Sequence, residues 1–447
     1  MVELGKVYDA TFTDLTHDAM GVAKIDGYPL FVEGALKGER ALIKVTKTNK
    51  NFGFAKLLEI KEVSPFRKEP LCGHYDNCGG CNLMHMHYDI QLDFKRHRVK
   101  ETLRKIGRVD MDVSPTVGMD NPFYYRNKAM IPFGEKDGKI VAGMFKKGSH
   151  EIIDLNRCHI YPRGYSEIVK AIKQFLSKES IEIYNPHTDK GIVRGIMLRR
   201  SEAYDSISLV VITATSKFPG KDQFVAQITQ RFANITSVIL NVNAHDKNFR
   251  LGNKSKVLYG EDKLEERLLG VSFEMSHQSF FQINPSQSEV LFKKVGGLIG
   301  EKDTTLLDAY CGTGSISLAL SQYVEKVIGF DISKHAIKNA QANARKNGIE
   351  HASFIVGAAD KVMPYLKDSG IDVVVVDPPR KGLDKSFLET LMRMNVPKII
   401  YISCNVSTFA RDAKTMREKG YDLKQITPVD MFPQTSHVET VALLERG

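Results

Sequence analysis

Residues 306–322 read LLDAYCGTGSISLALSQ: an apolar strand, a turn holding Gly312 and Gly314, and a helix with an apolar stripe. The runs VEKVIGFDI, ASFIVGA, DVVVVDPP and KIIYISCN follow, alternating with the helical patterns AIKNAQANARKNG and FLETLMRMN. Strands that are apolar on both faces need helices on both sides, so this alternation predicts a doubly wound α/β domain with a parallel-rich sheet over 271–447. Upstream, residues 1–59 alternate apolar and polar positions between glycine turns, as a small OB-like β-barrel does. The Ser64–Pro65 turn marks its end. Residues 60–270 mix both patterns: helices in IQLDFKRHRVKETLRKIGRV (90–109), with one basic face, and SEIVKAIKQFLSKESI, and strands in GIVRGIMLRRS, SISLVVITA and TSVILNVNA. The expectation is a multidomain chain with a central α+β domain between barrel and sheet.

The composition, 42% hydrophobic and 26% charged over 447 residues, is that of a soluble globular protein and excludes fibrous and mostly disordered chains. No apolar run approaches ~18 residues, and MVELGKVYDATFTD has no apolar signal core, so we expect a cytoplasmic protein with no membrane partner. Its six cysteines are then reduced rather than paired. The net charge is +10, and the whole excess lies in 61–260, where a polyanion-binding surface would put it. A solvated lysine-rich face explains that charge equally well.

The glycine turn alone suits NAD, FAD or S-adenosylmethionine. Three features choose the last. No third glycine completes GxGxxG, Asp331 ends the next strand where ribose hydroxyls would sit, and VVVVDPPRKG (373–382) ends a third strand in a rigid turn at Asp377. Asp331 has a competing reading as the N-cap of the following helix. DPPR lacks the aromatic residue with which amino-group methyltransferases hold a base amine, so the target atom is carbon. A pyrimidine C5 is a poor nucleophile until a thiolate adds at C6, and a base must then remove the C5 proton. KIIYISCNVSTFARD (398–412) supplies Cys404 at a strand end before a helix, where amides would lower its pKa. PVDMFPQTSHVETVALL (428–444) supplies Glu439, with His437 on the same face of a regular strand. Singly, Cys404 also reads as a small buried hydrophobe and Glu439 as a surface acid.

CGHYDNCGGCNLMH gives Cys72, Cys78 and Cys81, and Cys158 follows in NRCHIYP. Four thiolates suit zinc or a [4Fe–4S] cluster, and three plus one leans to iron–sulfur. A fourth cysteine closes the cluster, which argues against radical chemistry. His74, His85, His87 and His159 read as surface or RNA-contacting rather than as ligands. PFYYRNKAMIPFG (122–134) and MFKKGSHEIID offer Arg126, Lys128, Lys146 and Lys147 for phosphates and Tyr124 and Tyr125 for stacking, unless the tyrosines pack inward. In the barrel, Lys44, Lys47, Lys50, Phe52 and Phe54 suit RNA as well, unless both Phe fill the core.

GVAKIDGYPLFVEGALKGER resembles the TRAM domain of RNA-modifying enzymes, with Glu33 and Lys37 where proline is frequent. FFQINPSQSEVL, DAYCGTGSISL, DPPRKG, YISCN and DMFPQTSHVETV resemble the RNA uracil-5-methyltransferases, in particular the TRAM-bearing, iron–sulfur 23S rRNA type. The resemblance implies a Rossmann-like methyltransferase domain that methylates a looped or flipped uridine of 23S rRNA from S-adenosyl-L-methionine. It implies Cys404 as nucleophile and Glu439 as proton acceptor. Gln282, Tyr310, Asp331 and Asp377 would form the cofactor and substrate pocket, and Cys72, Cys78, Cys81 and Cys158 would hold a [4Fe–4S] cluster. Two positions depart from the pattern: SCNV replaces the frequent SCNP, and Asp331 replaces a frequent Glu. The rivals are a tRNA uracil-5-methyltransferase, a non-catalytic TRAM/iron–sulfur RNA-binding protein and a radical enzyme.

Overall fold

The structure is a computed structural model that describes residues 2–244, 246 and 248–447. The alternating N-terminal segment closes on itself as a five-stranded barrel: β1 (Val7–Leu15), β2 (Gly21–Ile25), β3 (Tyr28–Val32), β4 (Arg40–Thr48) and β5 (Gly53–Glu62), in the order β1-β2-β3-β5-β4. Its interior is narrow, and mostly small or branched residues fill it, among them Ala10, Ala23, Leu30, Val32 and Ile43. Phe52 and Phe54 are not among them. With Phe31 they form an outward cluster, ring centroids 5.5–5.9 Å apart, in which Phe52 is 36% exposed. The core reading of these two residues is thereby overturned.

Helix α1 (Tyr88–Thr102) passes into a π-helical turn, Leu103–Gly107, which Arg108 ends at φ +54°. It is shorter than its periodicity predicts, and its basic face is not all solvated. Lys95 is fully buried with its Nζ 2.5 Å from Asp430 Oδ1, because a charge enters a core only when paired. Val99, Leu103, Val109 and Val113 pack under the C-terminal sheet.

The central sheet has seven strands: β6 (Lys128–Lys136), β7 (Lys139–Phe145), β8 (Ile152–Asp154), β9 (Val193–Arg200), β10 (Ile207–Thr213), β11 (Ile235–Val242) and β12 (Lys254–Gly260). They run in the order β12-β11-β10-β9-β6-β7-β8, with only β10 and β11 parallel. Helices α2 (Tyr165–Lys178) and α3 (Lys221–Arg231) bury their apolar stripes on one face. A hairpin, β13 (Leu264–Leu268) and β14 (Val271–Met275), and α4 (Pro285–Gly296) lead into the last unit.

That unit is the doubly wound sheet the sequence predicts. Its strands are β15 (Thr305–Ala309), β16 (Lys326–Asp331), β17 (Ala352–Val356), β18 (Val373–Val376), β19 (Lys398–Ser403), β20 (Tyr421–Val429) and β21 (Glu439–Arg446), in the order β17-β16-β15-β18-β19-β21-β20. Helices α5 (Ser315–Leu320), α6 (Lys334–Lys346), α7 (Ala359–Val362), α8 (Lys385–Met394) and α9 (Val406–Arg417) connect them. Two apolar cores lie on its two faces. Only β21 runs against the rest, wedged between β19 and β20. Among the described residues no helix is long and apolar enough to cross a membrane.

Candidate active site

Parallel strands end at one edge, and a reversed strand begins there. Asp308 near the end of β15, Asp331 at the end of β16, Asp377 just past β18 and Glu439 at the start of β21 therefore all lie along the same edge. Cys404 follows β19 directly. Ser403 pairs with Thr440, so the next step of the register sets Cys404 beside Glu439.

The glycine turn is shaped as its sequence requires. Gly312 and Gly314 have φ of +54° and +82°, and a Cβ on Gly314 would lie 3.1 Å from that of Ala340. Gly312 has open space where its Cβ would be. Asp331 ties this turn to the next loop: Gly312 N donates to Oδ2 (3.2 Å) and Ser333 N to Oδ1 (2.8 Å). The N-cap of α6 is Ser333, whose Oγ accepts from Ala336 N, so the capping reading of Asp331 does not hold. Tyr310 is left-handed, φ +70°, and its ring packs on Phe387 at 5.1 Å. Gln282 approaches from a separate loop between β14 and α4. It is buried, and its carbonyl accepts from Asn127 Nδ2.

Asp308 was not singled out in the sequence, although a carboxylate inside the apolar run LLDAY is a visible anomaly. It is fully buried, accepts from Ser317 Oγ at 2.5 Å through Oδ2, and leaves Oδ1 without a partner. Burial, opposed by Ser317 and reinforced by Asp377 and Asp331, pushes its carboxyl up to about 7. Burial raises Asp377 to about 7 as well. Glu439 is held well above the usual carboxylate range by burial and by Asp377, with Arg380 opposing.

The thiol corrects an expectation. Burial, Glu439 and Asp377 raise Cys404 to about 11, and Arg380 and the local amide recover only part of this. The helix begins at Val406, with Asn405 Oδ1 accepting from Ser407 N, so its amides act two residues away while the acids stand beside the sulfur. Arg380, the last residue of DPPR, is the one cation that lowers both groups. Its carbonyl accepts from Asn405 Nδ2 (2.9 Å) and Thr408 Oγ1 (3.3 Å), which fixes the DPPR loop to the residues after the thiol. His437 does not share a strand face with Glu439, because β21 begins only at Glu439. It packs on Phe432, and burial and four surrounding cations lower its pKa.

Cys72, Cys78, Cys81 and Cys158 line one small cavity together with Tyr75 and Met144. Burial raises Cys78, Cys81 and Cys158, and their mutual repulsion adds to it. Arg126 lowers Cys81 and Cys158, and its buried Nε has no partner. Among the described residues no group of three His, Cys, Asp or Glu has the spacing to hold a metal ion. His85 is buried, not on the surface, with Nδ1 2.5 Å from the Tyr75 hydroxyl. Tyr125 is buried too, donating to the Pro433 carbonyl, so it is no stacking surface. Tyr124 remains half-exposed under Arg163 and Arg157 at the wall of a cavity of about 390 Å³. Lys147 pairs with Glu33 of the barrel, Lys146 with Glu151, and Lys128 is half-buried with its pKa lowered to about 8 by burial and Arg199.

A family model described as tRNA (Uracil-5-)-methyltransferase matches residues 221–447, and one described as TRAM domain matches 2–58. An uncharacterized RNA methyltransferase of Oceanobacillus iheyensis is 45% identical, over 99% of this chain and 97% of its own. One of Listeria innocua is 43% identical, over 98% and 97%. Among solved structures, the Pyrococcus abyssi tRNA (uracil-54, C5)-methyltransferase in complex with S-adenosyl-L-homocysteine superposes with a TM-score of 0.79 at 29% identity. The match covers 98% of this chain and 99% of that one.

Proposed function

The chain belongs to the S-adenosylmethionine-dependent RNA uracil-5-methyltransferase family, and on that premise we propose that it methylates C5 of uridine in 23S rRNA, with Cys404 as nucleophile and Glu439 as base. The register that sets residue 404 beside residue 439 carries this reading. Cys404 Sγ adds to uracil C6 and leaves electron density on C5. S-adenosylmethionine, when bound, supplies the methyl group on a cationic sulfur. Once C5 is methylated, Glu439 takes the C5 proton, the double bond re-forms, and the C6–S electron pair returns to sulfur. A carboxylate held above its usual range is the stronger base for that step.

The resting thiol is protonated: a pKa of about 11 leaves roughly one thiolate in ten thousand at neutral pH. A cation entering among Asp308, Asp331 and Asp377 favours every anion there, the thiolate included. Gln282, Tyr310, Asp331 and Asp377 are the donor and uracil pocket in this reading. The base must meet sulfur and donor from opposite faces, so the uridine leaves its stack. Cys72, Cys78, Cys81 and Cys158 are read as ligands of a [4Fe–4S] cluster, whose cube reaches thiolates spaced too widely for one ion. The partnerless Arg126 Nε beside them suits the cluster's negative charge.

The barrel, the four cysteines and the basic central region support 23S rRNA. A second reading, tRNA, is favoured by the Pyrococcus abyssi enzyme, which aligns over 98% of the chain and acts on tRNA. Mapping 5-methyluridine by mass spectrometry in rRNA and tRNA from a strain lacking the gene tests both. Loss from 23S rRNA is expected, and loss from tRNA alone would replace the first reading with the second.

A further inference from the structure

The base of the proposed reaction hangs at the end of a loop, residues 430–438, that is held mostly from outside its own sheet. Lys95 Nζ of α1 pairs with Asp430 and also reaches the Phe432 carbonyl at 3.3 Å. Tyr88 donates to Asp430 Oδ2 and Tyr125 to the Pro433 carbonyl. Gln434 is left-handed at φ +68° and fully buried. Gln91 holds it there, accepting from Gln434 N and donating to Gln434 Oε1 (3.1 and 3.2 Å).

The remaining grip comes from the cysteine segment. Asn82 is the residue after Cys81. Asn82 N and Leu83 N both donate to the Gln434 carbonyl, at 3.1 and 3.0 Å. The Asn82 side chain then takes Ser436 at both ends: Oδ1 accepts from Ser436 N (2.8 Å) and Nδ2 donates to Ser436 Oγ (3.0 Å). Nδ2 also donates to the Asp18 carbonyl, in the turn between β1 and β2 of the barrel (3.0 Å). One amide thus joins the barrel, the thiol loop and the segment three residues before Glu439. A left-handed non-glycine residue persists only where its surroundings over-determine it, and these bonds do so.

We infer that Asn82 is a positioning residue for the proton-removal step, holding loop 430–438, and through it Glu439, from the loop that carries Cys81. The inference rests on the mechanism proposed above. The step it serves breaks the C5–H bond, delivers the proton to Glu439, re-forms C5=C6 and returns the C6–S pair to Cys404. A loosened base delays that release while addition and methylation go on, so adduct accumulates.

The full-length Asn82→Ala protein, given unmethylated RNA and labelled S-adenosylmethionine, is expected to raise the ratio of denaturation-resistant covalent complex to released product about tenfold or more, as misplacement of a catalytic group does. KM for RNA and for the donor should stay near wild type, Asn82→Asp, which keeps the Oδ1 acceptor, should fall between, and the amides of 431–438 should exchange faster. A parallel fall of complex and product would overturn the inference and leave Asn82 merely structural. Should Asn82→Ala not fold, Ser436→Ala decides in the same assay: a raised ratio supports the inference, and an unchanged one overturns it. Glu439→Gln run alongside separates the levels. If it traps complex and Asn82→Ala does not, the positioning role fails alone. If neither does, the base assignment fails first.

Discussion

Two seven-stranded sheets in this chain treat buried charge in opposite ways. The central, mixed sheet buries arginines and satisfies them: Arg199 donates to the Ser276 and Ser279 carbonyls, and Arg194 donates to the Asn243 carbonyl while stacking on Tyr184 at 4.2 Å. The C-terminal, parallel sheet buries acids and leaves them short of partners. Asp308 has an orphaned oxygen, Asp377 and Glu439 repel each other, and Arg380 is the cation that offsets them. Satisfied charges hold a fold together, whereas unsatisfied ones at a strand edge are poised for a ligand or a proton. The excess positive charge of 61–260 is therefore a poor measure of RNA-facing surface, because part of it is internal.

The sharpest break of this contrast lies at the acidic edge. Cys404→Ala should lower methyl transfer by about a thousandfold or more while leaving RNA affinity within about threefold, read by labelled methyl incorporation and filter binding. Turnover that survives would return Cys404 to the satisfied, structural class. Glu439→Gln should slow turnover by about 10²–10⁴ and leave RNA covalently bound on a denaturing gel. Removing that carboxylate also removes a charge that raises the thiol, so peptide-resolved alkylation of Cys404 should show its titration moving below about 11.

The parallel sheet was legible because its signals are local. Each strand ends in a recognisable acid or thiol, and β–α alternation brings those ends to one edge whatever the details of packing. What the sequence hid depends on distant partners. Cys404 looks activated when only its own helix is considered. Glu439 and Asp377, from strands far away in the chain, reverse the sign. Lys95 sits in a run of basic residues and reads as solvent-facing, until Asp430, 335 residues on, draws it inward. Tyr125 and His85 were placed on the surface for want of the Pro433 carbonyl and the Tyr75 hydroxyl that hold them inside. The barrel erred the other way: Phe52 and Phe54 look like core residues by type, yet a narrow barrel of five strands has no room for them.

Two substitutions sharpen the difference between structural and surface residues away from the acids. Lys95→Met leaves Asp430 buried with one partner fewer and should destabilise the protein by about 3–5 kcal/mol. The double variant Lys95→Met/Asp430→Asn should recover most of that loss in thermal unfolding. Equal stability of the single variant would mean that water reaches the pair. Phe52→Ala removes an exposed ring beside Lys47 and Lys50, so its melting temperature should match wild type. Its RNA affinity should nonetheless weaken by about 1–3 kcal/mol, the range for one stacked base. Loss of stability without loss of affinity would move Phe52 to the structural side.

The smallest effect tests whether the acidic edge is strained in the absence of ligand. Asp308 and Asp377 are raised to about 7 in the folded protein, against an unfolded value near 3.8. Between those values the folded state holds more protons than the unfolded one, so stability is greatest at low pH and declines as pH rises from 4 through 7. His85 runs in the opposite sense. Burial lowers it to about 3, and its contribution grows as pH rises toward 6.5. It is common to wild type and variant and cancels in their difference. Asp308→Asn keeps an acceptor for Ser317 Oγ and cannot ionise. The ligand-free variant should therefore lose less stability than wild type between pH 5 and pH 8. The difference should be about 1 kcal/mol, well under the ~4 kcal/mol of an isolated three-unit shift, because Asp377 ionises more readily once its neighbour is neutral. Identical pH profiles would show that Asp308 finds, in solution, the partner its second oxygen lacks.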